Sequence, residues 1–316
     1  MEIMLEEIPG FLQSRDKFYI LTHQYPDGDT LGSACALAIA LQKIGKKVKV
    51  LCNDKIPPKY DMLFEGVMSQ NFEPECIVSV DVADVQLLGS KLEKFATKIE
   101  LSIDHHASNK KFAMYQYTEP GSAATAEIIY NILKIMKIEI DIPLATCIYT
   151  GISTDTGCFR YANATPRSYR IAADMLEKGV DACKINRIMF DMKSRERLEI
   201  ERKVLDSMEF FYDNKCAIIH VTQEMMQKAN ATDSDVEGLA SIPRQIEGVL
   251  VGVTIREKKD GSFKISVRTD EEINASLICE KFEGGGHLCA AGCSMTGSLQ
   301  EIKESIVDAI KDFILD

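Results

Sequence analysis

The sequence predicts an α/β fold in two unequal parts: an N-terminal parallel-sheet domain, a helical linker and a smaller α/β domain, with the active site in the cleft between them. Three observations carry this. Over the first two-thirds of the chain, short β-branched or apolar runs alternate with longer helical patterns, the signature of parallel strands with crossover helices. From Asp191 to Asp206 (DMKSRERLEIERKVLD) charges of both signs recur at helical spacing with no apolar strand among them, which reads as a solvated helix joining two bodies. Finally, 316 residues with 46% hydrophobic content suffice for about two domains, each with its own core. The expected divisions are 1–190, 191–208 and 209–316.

Taken in order, Lys17–Thr22, Lys47–Leu51, Cys76–Val80 and Lys98–Ile103 are the strand candidates of the first part. Helices are expected near Thr30–Ile44, Ser122–Met136, Ile142–Ile152 and Pro166–Lys178. In the second part, Lys215–Val221, Val249–Arg256 and Phe263–Arg268 read as strands. A helix near Ala275–Phe282, a glycine run at Gly284–Gly286 and an amphipathic helix from Leu299 follow.

Composition excludes several functions. The net charge is −11, from 37 Lys+Arg and 48 Asp+Glu, and no basic tract stands out. Binding to long DNA or RNA draws on a broad basic face, so a small anionic substrate held by a few placed cations or metals is the expectation that remains. The longest clean apolar run, Ala34–Leu41, falls far short of the roughly 18 residues that span a bilayer. The N-terminus (MEIMLEEIPG) is acidic, so neither a membrane role nor a secretion signal is expected. The 10 cysteines include no CxxC pair and read as small buried hydrophobes of a cytoplasmic, reducing environment.

The chemistry concentrates in four places. After the first strand, His23, Asp27 and Asp29 fall within HQYPDGD; a turn with a helix cap explains the Pro-Asp-Gly but leaves His23 idle. Asp81 ends the third strand candidate, Asp104-His105-His106 ends the fourth, and Asp155 lies in GISTDTG after a helix. Each alone is more simply a cap, a loop carboxylate or a satisfied polar residue. Together they fall where an open α/β sheet gathers its ligand-binding residues, at the carboxyl ends of the strands. Imidazole mixed with carboxylate, with no thiolate nearby, suits Mn²⁺ and similar divalent ions. The four charges of Asp27, Asp29, Asp81 and Asp155 match two such ions, which about 4 Å apart can activate water and clamp a phosphoryl displacement.

These motifs, HQYPDGDTLGS, the Asp81 strand end, DHH at 104–106 and TDTG at 154–157, resemble in order and context those of the DHH phosphoesterase family. Val267–Gly292 (VRTDEEINASLICEKFEGGGHLCAAG) is similar to the GGGH signature of its DHH-associated domain. The resemblance implies that His23, Asp27 and Asp81 hold one metal and Asp29, Asp81, His105 and Asp155 the other, with Asp81 as the bridge. It implies that His106 faces the scissile phosphate, and Asp104 is then better placed to orient a histidine than to bind metal. Cys158 and Glu283, flanking TDTG and GGGH, stand where the family more often carries other residues.

Three glycines, Gly284, Gly285 and Gly286, let backbone N–H groups approach an anion, and Arg268 and His287 add two donors. By resemblance this loop grips the nucleotide whose bond is cut. Arg160, Arg244 and Arg256 are weaker candidates for lining the cleft, and Tyr25 and Phe159, next to the metal motifs, read as packing residues before base-stacking ones.

By length and lack of sensory segments, the chain is most similar to the stand-alone branch of the family. That implies a Mn²⁺-dependent phosphoesterase of very short RNA, about two to five nucleotides, and of the 3′-phosphate of 3′-phosphoadenosine-5′-phosphate (pAp), with a homodimer possible. The alternatives are a phosphodiesterase of signalling dinucleotides (linear pApA or pGpG, or cyclic di-AMP) and a non-catalytic nucleotide sensor. A pyrophosphatase is weaker, because such relatives lack GGGH.

Overall fold

Parallel pairing of the β-branched runs builds the first unit. The computed structural model describes residues 1–314 and divides the chain into a first unit, Met1–Met192, and a second from Lys193 onward. In chain order the first contains α1 (Ile8–Gln13), β1 (Phe18–Leu21), α2 (Gly28–Lys43), β2 (Val48–Leu51), β3 (Cys76–Val80), β4 (Leu101–Asp104) and β5 (Tyr115–Thr118). Then come α3 (Thr125–Ile135), α4 (Ile142–Asp155), α5 (Pro166–Glu177) and α6 (Ala182–Asn186). The sheet order is β2-β1-β3-β4-β5, parallel throughout.

Parallel sheets are buried on both faces, and successive residues divide accordingly. Phe18 and Ile20 join the helical core with Val78 and Val80, whereas Tyr19 and Leu21 join Ile77, Leu88 and Leu92 on the other face. Helix α2 is buried from Gly28 to Gln42, so it is apolar on nearly every side. The carboxyl ends of β1, β3 and β4 lead straight into His23, Asp81 and Asp104, which is how the fold collects the polar residues on one edge.

The second unit runs α7 (Arg195–Asp206), β6 (Glu209–Phe211), β7 (Cys216–Val221), α8 (Gln223–Lys228), β8 (Val251–Glu257) and β9 (Phe263–Thr269). It closes with α9 (Ala275–Glu280), β10 (Gly285–His287), β11 (Ala290–Met295) and α10 (Leu299–Ile314). The order is β10-β11-β9-β8-β7-β6, antiparallel except for the parallel β7–β8 pair. Ile302, Ile306, Ile310 and Ile314, spaced by four, bring α10 onto one face of this sheet.

Several expectations are corrected. The helix read as a solvated linker is a built part of the second unit: Ile200 and Val204 are fully buried, packed with Ile219, Val221 and Met226. Its dense charges, paired as Arg202 and Lys203 on Glu199, conceal that narrow apolar stripe. Strand β5 was missed because only Gln116 of its four residues is buried, as befits an edge. The hairpin β10–β11 was missed because its glycines carry no strand propensity. Among the cysteines, Cys183 is exposed and Cys52, Cys158 and Cys289 are partly so; only the other six are buried. Among the described residues no helix is long and apolar enough to cross a membrane.

Candidate metal centre and phosphate-binding strands

The first unit brings His23, Asp27, Asp29, Asp81, His105 and Asp155 together. His23, Asp27 and Asp81 form one group of candidate metal ligands, Asp29, His105 and Asp155 another, and Asp81, His105 and His106 a third. Asp81 belongs to the first and the third: its Oδ2 lies 3.7 Å from His23 Nε2, and its Oδ1 lies 3.7 Å from His105 Nε2. His23 Nε2 also faces Asp27 Oδ2 at 3.5 Å, and His105 Nε2 faces Asp155 Oδ2 at 3.4 Å and Asp29 Oδ2 at 4.0 Å. Atoms sharing one ion at about 2.1 Å stand roughly 3–4.2 Å apart, so the convergence without close hydrogen bonding fits divalent metal.

Local structure aims each group. Asp27 caps α2, its Oδ1 accepting from the amides of Asp29 and Thr30 at 3.0 Å each, which leaves Oδ2 for His23. Cap and ligand are therefore compatible roles of different oxygens. Asp81 follows β3 with φ at +61°, a left-handed conformation that costs a non-glycine residue about 1–3 kcal/mol and needs support from its surroundings. The Asp81 amide bonds Ile103 O at 2.9 Å, and the Thr125 hydroxyl donates to its Oδ1 at 2.8 Å.

Sequence reasoning placed a helix here but missed that the start of α3 organises the centre. The amides of Thr125 and Ala126 donate to Asp29 at 2.6 and 2.9 Å, and Ser33 Oγ adds a third bond at 3.0 Å. The Ser122 carbonyl accepts a hydrogen bond from His105 Nδ1 at 3.1 Å, which fixes the proton on that nitrogen and leaves Nε2 bare toward the carboxylates. Close approach at Gly151 makes this possible, because a Cβ there would stand 2.6 Å from Ala126 Cβ and 2.9 Å from Asp29 Oδ1.

His106 differs from the other histidines. Its Nδ1 bonds Asp104 Oδ1 at 2.8 Å, its side chain remains 42% exposed, and among the described residues the other ring nitrogen has no hydrogen-bond partner. Asp104 is fully buried and belongs to none of the candidate ligand groups, bonded also to the His105 amide at 2.9 Å and to Asn109. Of the aromatic candidates, Phe159 packs with Tyr149 and Tyr169, while Tyr25 is 69% exposed.

The electrostatics fit a charge-compensating ion. Burial, reinforced by the charges of Asp29, Asp27, Asp104 and Asp155, raises the Asp81 carboxyl well above its usual range. Burial likewise raises Asp29 and, with the charges of Asp29 and Asp27, pushes Asp155 up to about 8. Burial works against ionisation of Asp27, yet His23 and the amides of Thr30 and Asp29 hold its carboxyl below the usual value.

A stability prediction follows. Between the free value of 3.8 and about 8 the folded chain binds more protons than the unfolded chain at Asp155, and Asp29 and Asp81 act in the same direction. Stability without metal therefore falls as pH rises through that window. The carboxyls held below their usual values, Asp27, Asp104 and Glu119 among them, oppose this below about pH 5, and His220, lowered chiefly by burial, opposes it nearer neutrality, where His106, raised by its bond to Asp104, adds to it. Calorimetry in EDTA should show Tm falling from about pH 5 to pH 8, and added Mn²⁺ should raise Tm most at the upper end. A metal-free Tm that climbs across the window contradicts the assignment.

In the second unit the glycine run forms β10 rather than a loose loop. In the register, His287 stands opposite Ala290, and Ala290 opposite Arg268. Directly opposed residues share a face, so Arg268 and His287 project from the same side, about 10 Å apart across two strand spacings, with only the Ala290 methyl between them. Gly284, partly buried, precedes the strand, and Gly285 and Gly286 are exposed. Gly286 is sterically required, since a Cβ would stand 2.5 Å from Ala290 O; Gly285 has open space around that position. Arg160, Arg244 and Arg256 are engaged internally, with Gly157 O, with Val249 O and Asp270, and with Asp233.

A parallel α/β sheet whose strand ends and adjoining helix ends converge two imidazoles and four carboxylates, accompanied by an anion-suited glycine strand, defines a hydrolase of phosphoester bonds. The N-terminal domain of the DHH family matches residues 17–152, and the DHHA1 domain matches residues 214–316. The chain belongs to the DHH family. It is 30% identical over 304 residues to the bifunctional oligoribonuclease and PAP phosphatase NrnA of Thermus thermophilus, covering 93% of this chain and 89% of that one. The cyclic-di-AMP phosphodiesterase GdpP of Bacillus subtilis is 26% identical over 93% of this chain and 47% of its own length. A crystal structure of an exopolyphosphatase-related protein from Bacteroides fragilis superimposes with a TM-score of 0.84 at 26% identity, covering 99% of this chain and 97% of that one.

Proposed function

We propose that this hydrolase cleaves very short oligoribonucleotides and removes the 3′-phosphate of pAp to give AMP, using two divalent ions, Mn²⁺ by preference. The observation that carries the reading is Asp81, which offers one oxygen to each of two ligand groups. The ions would supply Lewis acidity toward water and the phosphoryl oxygens. His23, Asp27 and Asp81 would hold one, and Asp29, Asp81, His105 and Asp155 the other. His106, its proton affinity raised first of all by the bond to Asp104, would contact the scissile phosphate and protonate the leaving oxygen. Arg268 and His287, with the exposed amides of Gly285 and Gly286, would bind the nucleotide's phosphate. The activity of the Thermus relative supports this choice of substrate, as does the net charge of −11, which disfavours tracking a long strand.

Both substrates share one geometry, because the bond from phosphorus to O3′ is cut whether the 3′ side carries a bare phosphate or more RNA. In kinetics with Mn²⁺, pAp should inhibit cleavage of a dinucleotide competitively, and turnover should fall steeply with RNA length. Dinucleotide cleavage indifferent to saturating pAp contradicts a single shared site. The Bacillus relative favours a second reading, a phosphodiesterase of signalling dinucleotides. Cyclic di-AMP hydrolysed faster than pAp or dinucleotide RNA would select it.

A further inference from the structure

We infer that Asn109 is a positioning residue for His106, acting through Asp104. The inference rests on the proposal above that His106 works on the substrate. Asp104 is fully buried, and its Oδ1 is taken by the His105 amide at 2.9 Å and His106 Nδ1 at 2.8 Å. Its Oδ2 accepts from Asn109 Nδ2 at 2.6 Å. The same amide nitrogen donates to Val82 O at 3.1 Å, the Asn109 oxygen accepts from the Lys111 amide at 2.7 Å, and the Asn109 amide donates to His106 O at 3.1 Å.

One side chain thus ties the residue after Asp81 to the carboxylate that aims His106. The site demands two donors and one acceptor on a short stem. Aspartate would press a second carboxylate against Asp104, alanine would leave Asp104 Oδ2 free to swing, and glutamine is one methylene too long. Because the Asn109 side chain bonds Asp104, Val82 O and the Lys111 amide and none of the candidate ligating atoms, its contribution passes through the orientation of the His106 ring, in the manner of a carboxylate–histidine pair held from behind.

The test is a double-mutant cycle on dinucleotide cleavage with Mn²⁺, with metal affinity measured by calorimetry as a second readout. Asn109→Ala should lower kcat by about tenfold, leave KM and Mn²⁺ affinity within about twofold, and cost nothing further in a His106→Ala background. Asn109→Ser, which keeps one donor, should fall between wild type and Asn109→Ala, and serves if the alanine variant fails to fold. An equal fractional loss with and without His106, or an unchanged kcat in the single variants, overturns the inference. An unchanged kcat in His106→Ala alone overturns instead the assignment of His106 to the substrate.

Discussion

Asp81→Asn is expected to abolish turnover while the chain stays folded. Asparagine tolerates the left-handed backbone that Asp81 adopts at φ +61°, and its amide oxygen can still accept from Thr125. What it loses is the charge offered to both ligand groups. Lewis-acid assistance is worth several kcal/mol, so kcat should fall on the order of 10³-fold or more. Calorimetric titration with Mn²⁺ should show fewer ions bound than in the parent. Because burial and the neighbouring carboxylates oppose ionisation of Asp81, the metal-free variant should also melt no lower than the metal-free parent at neutral pH. A variant that binds Mn²⁺ and turns over like the parent removes Asp81 from the centre.

His106→Ala should separate catalysis from metal binding. The ring is oriented by Asp104, is partly exposed, and sits beside His105 with ring centroids 4.5 Å apart. Removing a positioned proton donor costs roughly 10²–10⁴-fold, while Mn²⁺ affinity should change little because His105 and the carboxylates are untouched. The loss should be smaller on a substrate whose leaving group needs no proton, such as a nitrophenyl phosphodiester. A Mn²⁺ affinity that collapses with the ring would instead make His106 a ligand, which its 3.7 Å separation from Asp81 Oδ1 allows geometrically.

The ligand candidates were legible because each is a charged or imidazole side chain just after an apolar strand or at the end of a helix, where residue type and position both register in a one-dimensional pattern. What supports them was not. Ser122 acts through its carbonyl and Ala126 through its amide, groups every residue carries, so nothing in the string SAATAE announces them. Nothing in the string DHHASN marks Asn109 either. In the second unit, the pairing of Arg268 with His287 across Ala290 depends on the register of a glycine hairpin, and register is set by partners distant in sequence. The charged run before the second sheet misled because two buried residues, Ile200 and Val204, suffice to dock a helix whose other faces are polar.

The central claim is that Asp81 lies between two divalent ions. Anomalous diffraction from crystals grown with Mn²⁺ tests it most directly. The account predicts two peaks about 4 Å apart, one beside His23 and Asp27 and one beside Asp29, His105 and Asp155, with Asp81 contacting both. A single peak, or a pair that leaves Asp81 without contact, contradicts it.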